Sequence, residues 1–517
     1  MNQIKEKSTP ANASHDQADD GQEVLDVLII GAGFAGICMG IRLLEAGMEN
    51  FRIFEKAPKV GGTWYFNSYP GAACDVASHF YCYSFEPNPD WSRKFSPWNE
   101  IQEYAEHCVD KYSLRPHIEY GREVSATRFD DQSGLWEVSF SDGSTARAHH
   151  FVNGCGGLHV PSIPEFEGAQ QFEGQSWHSS LWRHDIDLRG KRVAVIGSAA
   201  SAVQIVPEIA KLAEHIYLFQ RTANYIVPRD DREYSTRQKQ RFRQWPWLLK
   251  LYRLFLFLRY ELLIYPIVKT HRRNIQRIYG LREFRRYLKN CVPDPELREK
   301  LTPDYPLGCK RILISDNFFQ AFNRDNVSLI TAGISHLTTG GVQTVDGVEH
   351  AADVIVYATG FDTQSSVPKG SIVGPGGYDL SDAWEEAPIA YEGSMVAGFP
   401  NYYFVTGPNT GVGSTSVIFM IEQQANLIMA CIQAGGRSKL IEPSAAAMNA
   451  YDQEIQDALS ATVWATSCSS WYKREDGRIT ILYPYNAMTF RRRHKKPNWA
   501  DFEIKAGPRS LPETPSA

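Results

Sequence analysis

The chain has 517 residues, which at about 100 to 200 residues per domain predicts two to four domains, and its 43% hydrophobic, 22% charged and 12% aromatic content excludes fibrous, collagen-like and wholly disordered classes. The formal net charge of -5 gives no global field suited to a polyanion, so no nucleic-acid partner is expected. Nine cysteines with neither regular spacing nor a C-x-x-C pair fit a reduced, cytoplasmic chain, and no structural disulfide is expected.

Residues 1–23 are polar and lack an apolar h-region, which predicts a disordered tail that is neither a signal peptide nor a transit peptide. Structure begins at Val24, where an unbroken apolar run to Ile30 reads as a buried parallel strand. It enters Gly31-Ala32-Gly33-Phe34-Ala35-Gly36 and then a helix to Glu45; a second strand, Phe51 to Phe54, ends at Glu55. Glu55 lies roughly 20 residues beyond the glycines, where a dinucleotide-binding unit places its ribose-binding carboxylate. Gly31 permits the tight turn, Gly33 lets the backbone approach a pyrophosphate, and Gly36 lets the helix close on the strand with its N-terminus toward the phosphates.

Next comes Gly61-Gly62-Thr63-Trp64, continuing through Tyr69-Pro70-Gly71 to Asp75. A flavin disulfide reductase would carry two cysteines on the helix after such a turn, and the first cysteine here is Cys74. That class is excluded. Phe172 to Trp182, with His178 inside it, stands just before a second strand, Lys191 to Ile196, placed to connect two domains. The strand enters Gly197-Ser198-Ala199-Ala200-Ser201-Ala202, followed by a helix through Ala210 and a strand Ile216 to Phe219. Taken alone, this degenerate copy fits either a second dinucleotide site or a plain β-α-β crossover. The strand ends in Gln220-Arg221-Thr222, where no carboxylate would repel a 2′-phosphate and a cation stands beside it, so the second nucleotide is expected to be NADPH.

From residue 229 to 301 the chain turns basic, aromatic and helical, which predicts an inserted subdomain. Its most lipophilic stretch, Trp245 to Val268, is interrupted by Lys250, Arg253, Arg259 and Glu261 and does not read as a spanning helix. Three readings remain open for it: a solvated helical face, a lipophilic substrate entrance, or a peripheral membrane contact through residues 245–270. Strands resume at Val327 to Ile330 and at Asp353 to Gly360, where the chain is expected to return to its first domain.

The run Phe172 to Trp182 resembles the fingerprint of class B flavoprotein monooxygenases, and its closing Trp182 is similar to the Baeyer-Villiger branch. Gly61 to Asp75 resembles that branch's other signature at every defined position, and the likeness extends through Ala358 to Asp362 and Gly407-Pro408-Asn409-Thr410-Gly411. The resemblance implies an α/β fold of two Rossmann-like domains: an FAD-binding domain from 24–160 and 361–507, an NADPH-binding domain from 161–228 and 302–360, and a helical insertion at 229–301. It implies FAD held by Gly31, Gly33, Gly36, Glu55, Gly62, Thr63, Trp64, Asp75 and Asn409, and NADPH held by Gly197, Ser198, Ser201, Arg221, Thr222 and Lys310. His178 and Trp182 then couple the domains.

In the same resemblance Cys309-Lys310-Arg311 matches the family's Lys-Arg pair, with Phe318-Phe319 as its aromatic doublet, which makes Arg311 the catalytic arginine and Asp75 the residue that orients it. The implied reaction inserts one atom of O2 into a small lipophilic ketone to give an ester or lactone through a C4a-peroxyflavin and a Criegee intermediate, whose anionic charge a fixed guanidinium stabilises. S- or N-oxygenation is the alternative. Arg183 departs from the residue that usually closes the fingerprint, Ala199 replaces a glycine, and Gly411 to Ser416 resembles the broader monooxygenase loop. Trp471 fits either a nicotinamide-side or a packed core tryptophan, and Arg491 to Lys496 reads as a solvated helix end.

Overall fold

The computed structural model describes residues 23–508, apart from 271, 273, 364–366 and 467–469. The expected tail therefore lies, but for its last residue, outside the described residues. Two sheets organise the chain, one mixed and one wholly parallel. In the first, β1 (Val24–Ile30) is followed by α1 (Phe34–Glu45) and pairs in parallel with β2 (Phe51–Glu55) on one side and with Thr145–Asn153 on the other. Val27 to Ile30 are all buried, because packing covers both faces of a central parallel strand, and this is why the run is apolar without alternation. Strands Val124–Asp130 and Leu135–Phe140 extend the sheet in antiparallel fashion, and Tyr402–Phe404, far along the chain, pairs in parallel with Phe151 to Asn153.

The second sheet runs in the order Val327–Ile330, β4 (His215–Phe219), β3 (Arg192–Ile196), Val354–Tyr357 and Gln175–His178, all parallel. Between β3 and β4 lies α2 (Ala200–Ile209). The two connections between the sheets run side by side. Ser162 N donates to Gly360 O at 2.9 Å and Asp362 N to Val160 O at 2.9 Å, so both crossings form one short antiparallel strap.

The insertion is helical: Thr236–Gln244, α3 (Pro246–Arg259), a π-helical turn Tyr260–Ile264, Tyr265–Val268, α4 (Ile275–Cys291) and Pro295–Lys300. Ser235 and Gln238 form a reciprocal capping box at the first helix, and Asn274 accepts from Arg277 N at 2.9 Å to start α4. Among the described residues one helix, Val417–Gly435, is long and apolar enough to cross a bilayer; most of it is buried in the core, against α1.

Two expectations need correction. Cys309 is disulfide-bonded, while the seven other described cysteines are free. Irregular spacing in sequence carries no information about which sulfurs a fold brings together. The basic run at 491–496 is solvated only in part. Arg493 reaches inward to Glu392 at 2.8 Å and Glu454 at 2.8 Å, and His494 is fully buried, because the helix Ala487–Arg493 turns that side toward the core.

Candidate active site

The Gly-rich turns stand at the carboxyl ends of their strands, where open α/β sheets bind ligands. At the first, Gly31 N donates to Phe54 O at 2.8 Å, and a Cβ on Gly36 would lie 1.9 Å from Gly31 O. Only glycine lets α1 start so close to the strand. Gly33 and Gly62 face each other backbone to backbone, with a Cβ on Gly62 reaching 3.0 Å from Gly33 Cα, so the two signatures form one cradle. Thr63 and Trp64 open the short helix after Gly62; Thr63 is exposed, and buried Trp64 donates from Nε1 to Tyr81 at 3.0 Å. Glu55 is buried at the end of β2, accepting from Ala32 N at 2.7 Å and Ala57 N at 2.8 Å, and each oxygen retains a lone pair. This cradle fits a dinucleotide.

Asn409 braces its own loop. Both donors of its amide go to backbone carbonyls, Ile479 at 2.8 Å and Leu482 at 3.0 Å, so the side chain fastens the loop at 407–411 to the C-terminal segment.

At the second turn a Cβ on Gly197 would lie 2.4 Å from Ala358 O. Ser198 donates its hydroxyl to Thr222 O at 3.1 Å, closing the turn against the end of β4. Arg221 is exposed, and Lys310 stands near it: burial first, and then the Arg221 charge, pull the Lys310 ammonium below its usual range against a weaker opposing pull from Asp304. Two adjacent cations fit a bound anion. The turn and the cations together fit a phosphorylated dinucleotide.

His178 ends the strand beside Val354–Tyr357, paired with Tyr357 and three residues short of Gly360. It is fully buried, with Nδ1 at 2.8 Å from Ser180 Oγ, and burial holds the imidazole below its ordinary pKa. Its ring meets Phe361 edge-on at 5.4 Å, so it touches the strap between the sheets. Trp182 packs edge-on against Trp177 at 5.7 Å.

Asp75 and Arg311 meet. The Arg311 Nη2 group donates to both Asp75 carboxylate oxygens, while 49% of the arginine side chain stays open. The Asp75 charge raises the guanidinium above its already high ordinary pKa, so it is a permanent cation. Phe318 and Phe319 are buried in the short helix Phe318–Ala321.

Several residues position this site in ways their place in the sequence did not reveal. Tyr69 donates its hydroxyl to Gln204 at 3.0 Å, Gln204 donates to Ala73 O at 2.8 Å, and Ser201 lies beside the same hydroxyl. Gly71, at φ +80°, sits so close to α2 that a Cβ would be 2.5 Å from Gln204 O. The loop carrying Asp75 is thus anchored on the second domain. A glutamine flanked by Val203 and Ile205 in the middle of α2 was the available signal. Arg229 donates to Cys74 O at 3.3 Å and Phe95 O at 3.1 Å. Tyr472 is buried against Arg311, its hydroxyl pushed up to about 12 by burial, whereas Trp471 is 47% exposed and is no core tryptophan.

Comparison with known proteins agrees with this geometry. The flavin-binding monooxygenase-like family matches residues 25–248. A Baeyer-Villiger monooxygenase of Pseudomonas aeruginosa is 40% identical over 489 residues, covering 93% of this chain and 90% of the relative. The closed crystal structure of cyclohexanone monooxygenase superposes with a TM-score of 0.83 at 28% identity, covering 94% of this chain and 100% of that one. OTEMO in complex with FAD and NADP gives 0.82 at 29% identity, with coverage of 94% and 100%. The chain belongs to the Baeyer-Villiger monooxygenases, flavin-dependent enzymes built on two Rossmann-type domains.

Proposed function

We propose that the protein binds FAD at the first glycine cradle and NADPH at the second, and uses O2 to convert a small lipophilic ketone into an ester or lactone. The observation that carries this reading is Arg311, a permanent cation held at both Asp75 oxygens with half of its surface open. Bound FAD, once reduced by NADPH, supplies the chemistry that activates O2.

The chain's own residues do the rest. Gly31, Gly33, Gly36 and Gly62 admit the first dinucleotide, and Glu55 offers its remaining lone pairs to ribose hydroxyls. Gly197, Ser198, Ser201 and Thr222 line the second turn, and Arg221 with Lys310 clamps the 2′-phosphate. Arg311 stabilises negative charge that develops on oxygen as the substrate carbonyl is attacked, a task suited to a preorganised guanidinium. Asp75 holds the guanidinium in place, and Tyr69 with Gln204 holds the Asp75 loop against the second domain. His178 and Trp182 transmit movement of the NADPH domain to the strap at residues 160–162 and 360–362.

Aerobic incubation with NADPH and a panel of ketones, aldehydes, sulfides and amines tests this, with products identified by mass spectrometry under isotopically labelled O2. Esters or lactones carrying one labelled oxygen are expected. Sulfoxides or N-oxides with every ketone untouched would overturn the ketone reading and leave the flavin monooxygenase class intact.

A further inference from the structure

The outer face of α3 is apolar and uncovered. Trp247, Leu251, Leu254, Phe255, Leu258 and Leu262 are exposed by 63%, 54%, 49%, 58%, 44% and 64% respectively. At about 3.6 residues per turn, the first five lie within roughly 60° either side of one line along the helix. The opposite face is spoken for. Leu249 and Leu256 are buried, Arg253 donates to His79 O at 3.0 Å, and Phe257 packs on Phe419 at 5.5 Å. The stripe is therefore a second apolar face on a helix whose first face already meets the core, and nothing in the internal packing requires it.

Its charge surroundings are one-sided. Lys250 and Arg259, both exposed, fall on opposite flanks of the stripe. Between Ser235 and Asn290 there are 15 Lys or Arg and only two acids, Glu261 and Glu283. Neither acid is free to face outward: Glu261 accepts from Ala487 N at 3.0 Å, and Glu283 pairs with Arg286 at 2.6 Å. Asn274, which caps α4, donates to Pro266 O at 2.6 Å, so α4, with its own exposed Ile275, Ile278 and Tyr279, starts beside the segment that continues α3.

We propose that this face lies on a phospholipid bilayer with anionic headgroups, the stripe entering the acyl boundary and the flanking cations meeting lipid phosphates. An amphipathic helix with tryptophan, phenylalanine and leucine on one side and Lys or Arg at its edges has the composition of an interfacial helix. A second copy of the chain fits worse, since a twofold contact would set Lys250 and Arg259 against equally cationic flanks. The face also stands behind the site. Tyr260, in the π-turn that continues α3, accepts from Ala77 N at 3.2 Å and stacks on Phe80 at 5.4 Å, two and five residues beyond Asp75. A lipophilic molecule dissolved in the bilayer would meet this helix first. Membrane contact at this face is independent of which reaction the site performs.

Vesicle flotation of the FAD-loaded full chain tests it, using phosphatidylcholine alone and equal parts phosphatidylcholine and phosphatidylglycerol. The chain is expected to float with the anionic vesicles. Trp247→Ser/Leu251→Ser/Phe255→Ser should lower the bound fraction at least about tenfold while FAD content and thermal midpoint stay at parent values, as burying apolar area drives such binding. Lys250→Gln and Arg259→Gln, which keep the stripe, should each weaken binding to anionic vesicles roughly fivefold. Failure of the parent chain to float overturns the proposal. So does parent-like binding by the triple variant, which would mean adsorption by charge alone. Sedimentation showing a dimer that the triple variant dissolves, with no vesicle binding, overturns it in favour of a second copy.

Discussion

Asp75 and Arg311, 236 positions apart in the chain, form a two-oxygen ion pair in which one guanidinium nitrogen serves both carboxylate oxygens. The pair leaves the arginine's charge intact and its remaining N–H groups directed elsewhere, and it makes the position of that charge depend on the loop from Gly61 to Asp75.

Arg311→Ala is expected to retain fold and FAD while product formation falls on the order of 100- to 1000-fold, the usual cost of removing a preorganised partner of developing negative charge. NADPH consumption should continue and drain into hydrogen peroxide, which parallel peroxide and product assays will show. Asp75→Ala should uncouple less severely, since it displaces the arginine without removing it. Product formation at the parent rate in Arg311→Ala would make the arginine structural.

Arg221→Ala should narrow the preference for NADPH over NADH by about ten- to a hundredfold, the scale of one charge-assisted contact. Steady-state kinetics with both coenzymes provide the measurement. Lys310, held low first by burial and then by Arg221, should hold its proton somewhat more firmly when that neighbour is removed, burial still acting on it, so part of the anion affinity survives.

Gly36→Ala puts a methyl group where Gly31 O stands 1.9 Å away. Helix α1 must shift from the strand, at a cost of about 1–3 kcal/mol for an overpacked contact. Purified variant protein should lose flavin absorbance relative to protein absorbance and melt earlier. Retention of full flavin content would show that the dinucleotide does not rely on this close approach.

His150 supplies a pH dependence. It is buried, its Nε2 facing Gly436 O at 2.7 Å and its Nδ1 facing the Tyr403 hydroxyl at 3.3 Å. A carbonyl can only accept, so Nε2 carries the proton and the neutral ring is satisfied at both nitrogens. Burial lowers its pKa to about 4 from an ordinary value of 6.5. Below pH 6.5 the unfolded chain binds a proton that the folded chain refuses, so this stability is present above 6.5 and is lost as pH falls toward 4, on the order of 3 kcal/mol in all. Urea midpoints measured across that window should fall with pH in the parent and fall less in His150→Gln.

The nucleotide-binding turns were legible in the chain because their causes are local. A buried parallel strand must be apolar throughout, a tight turn under a helix must lack side chains, and a carboxylate or a cation at the end of the next strand sits beside the nucleotide by virtue of strand length alone. Gly31, Gly36, Glu55, Gly197 and Arg221 follow from those rules. Asp75 and Arg311 could be paired from sequence only through resemblance to relatives, since no local rule joins residues on two separate domains. The rest came from packing at a distance. The anchoring of the Asp75 loop through Tyr69 and Gln204, the bracing of the 407–411 loop by Asn409, the inward pairing of Arg493, the burial of His494 and the disulfide at Cys309 each depend on where two remote segments come to lie. The outer face of α3 belongs here as well. Its sequence is rich in apolar residues on both sides, and only the fold shows that one face meets the protein while the other, rimmed by cations, does not.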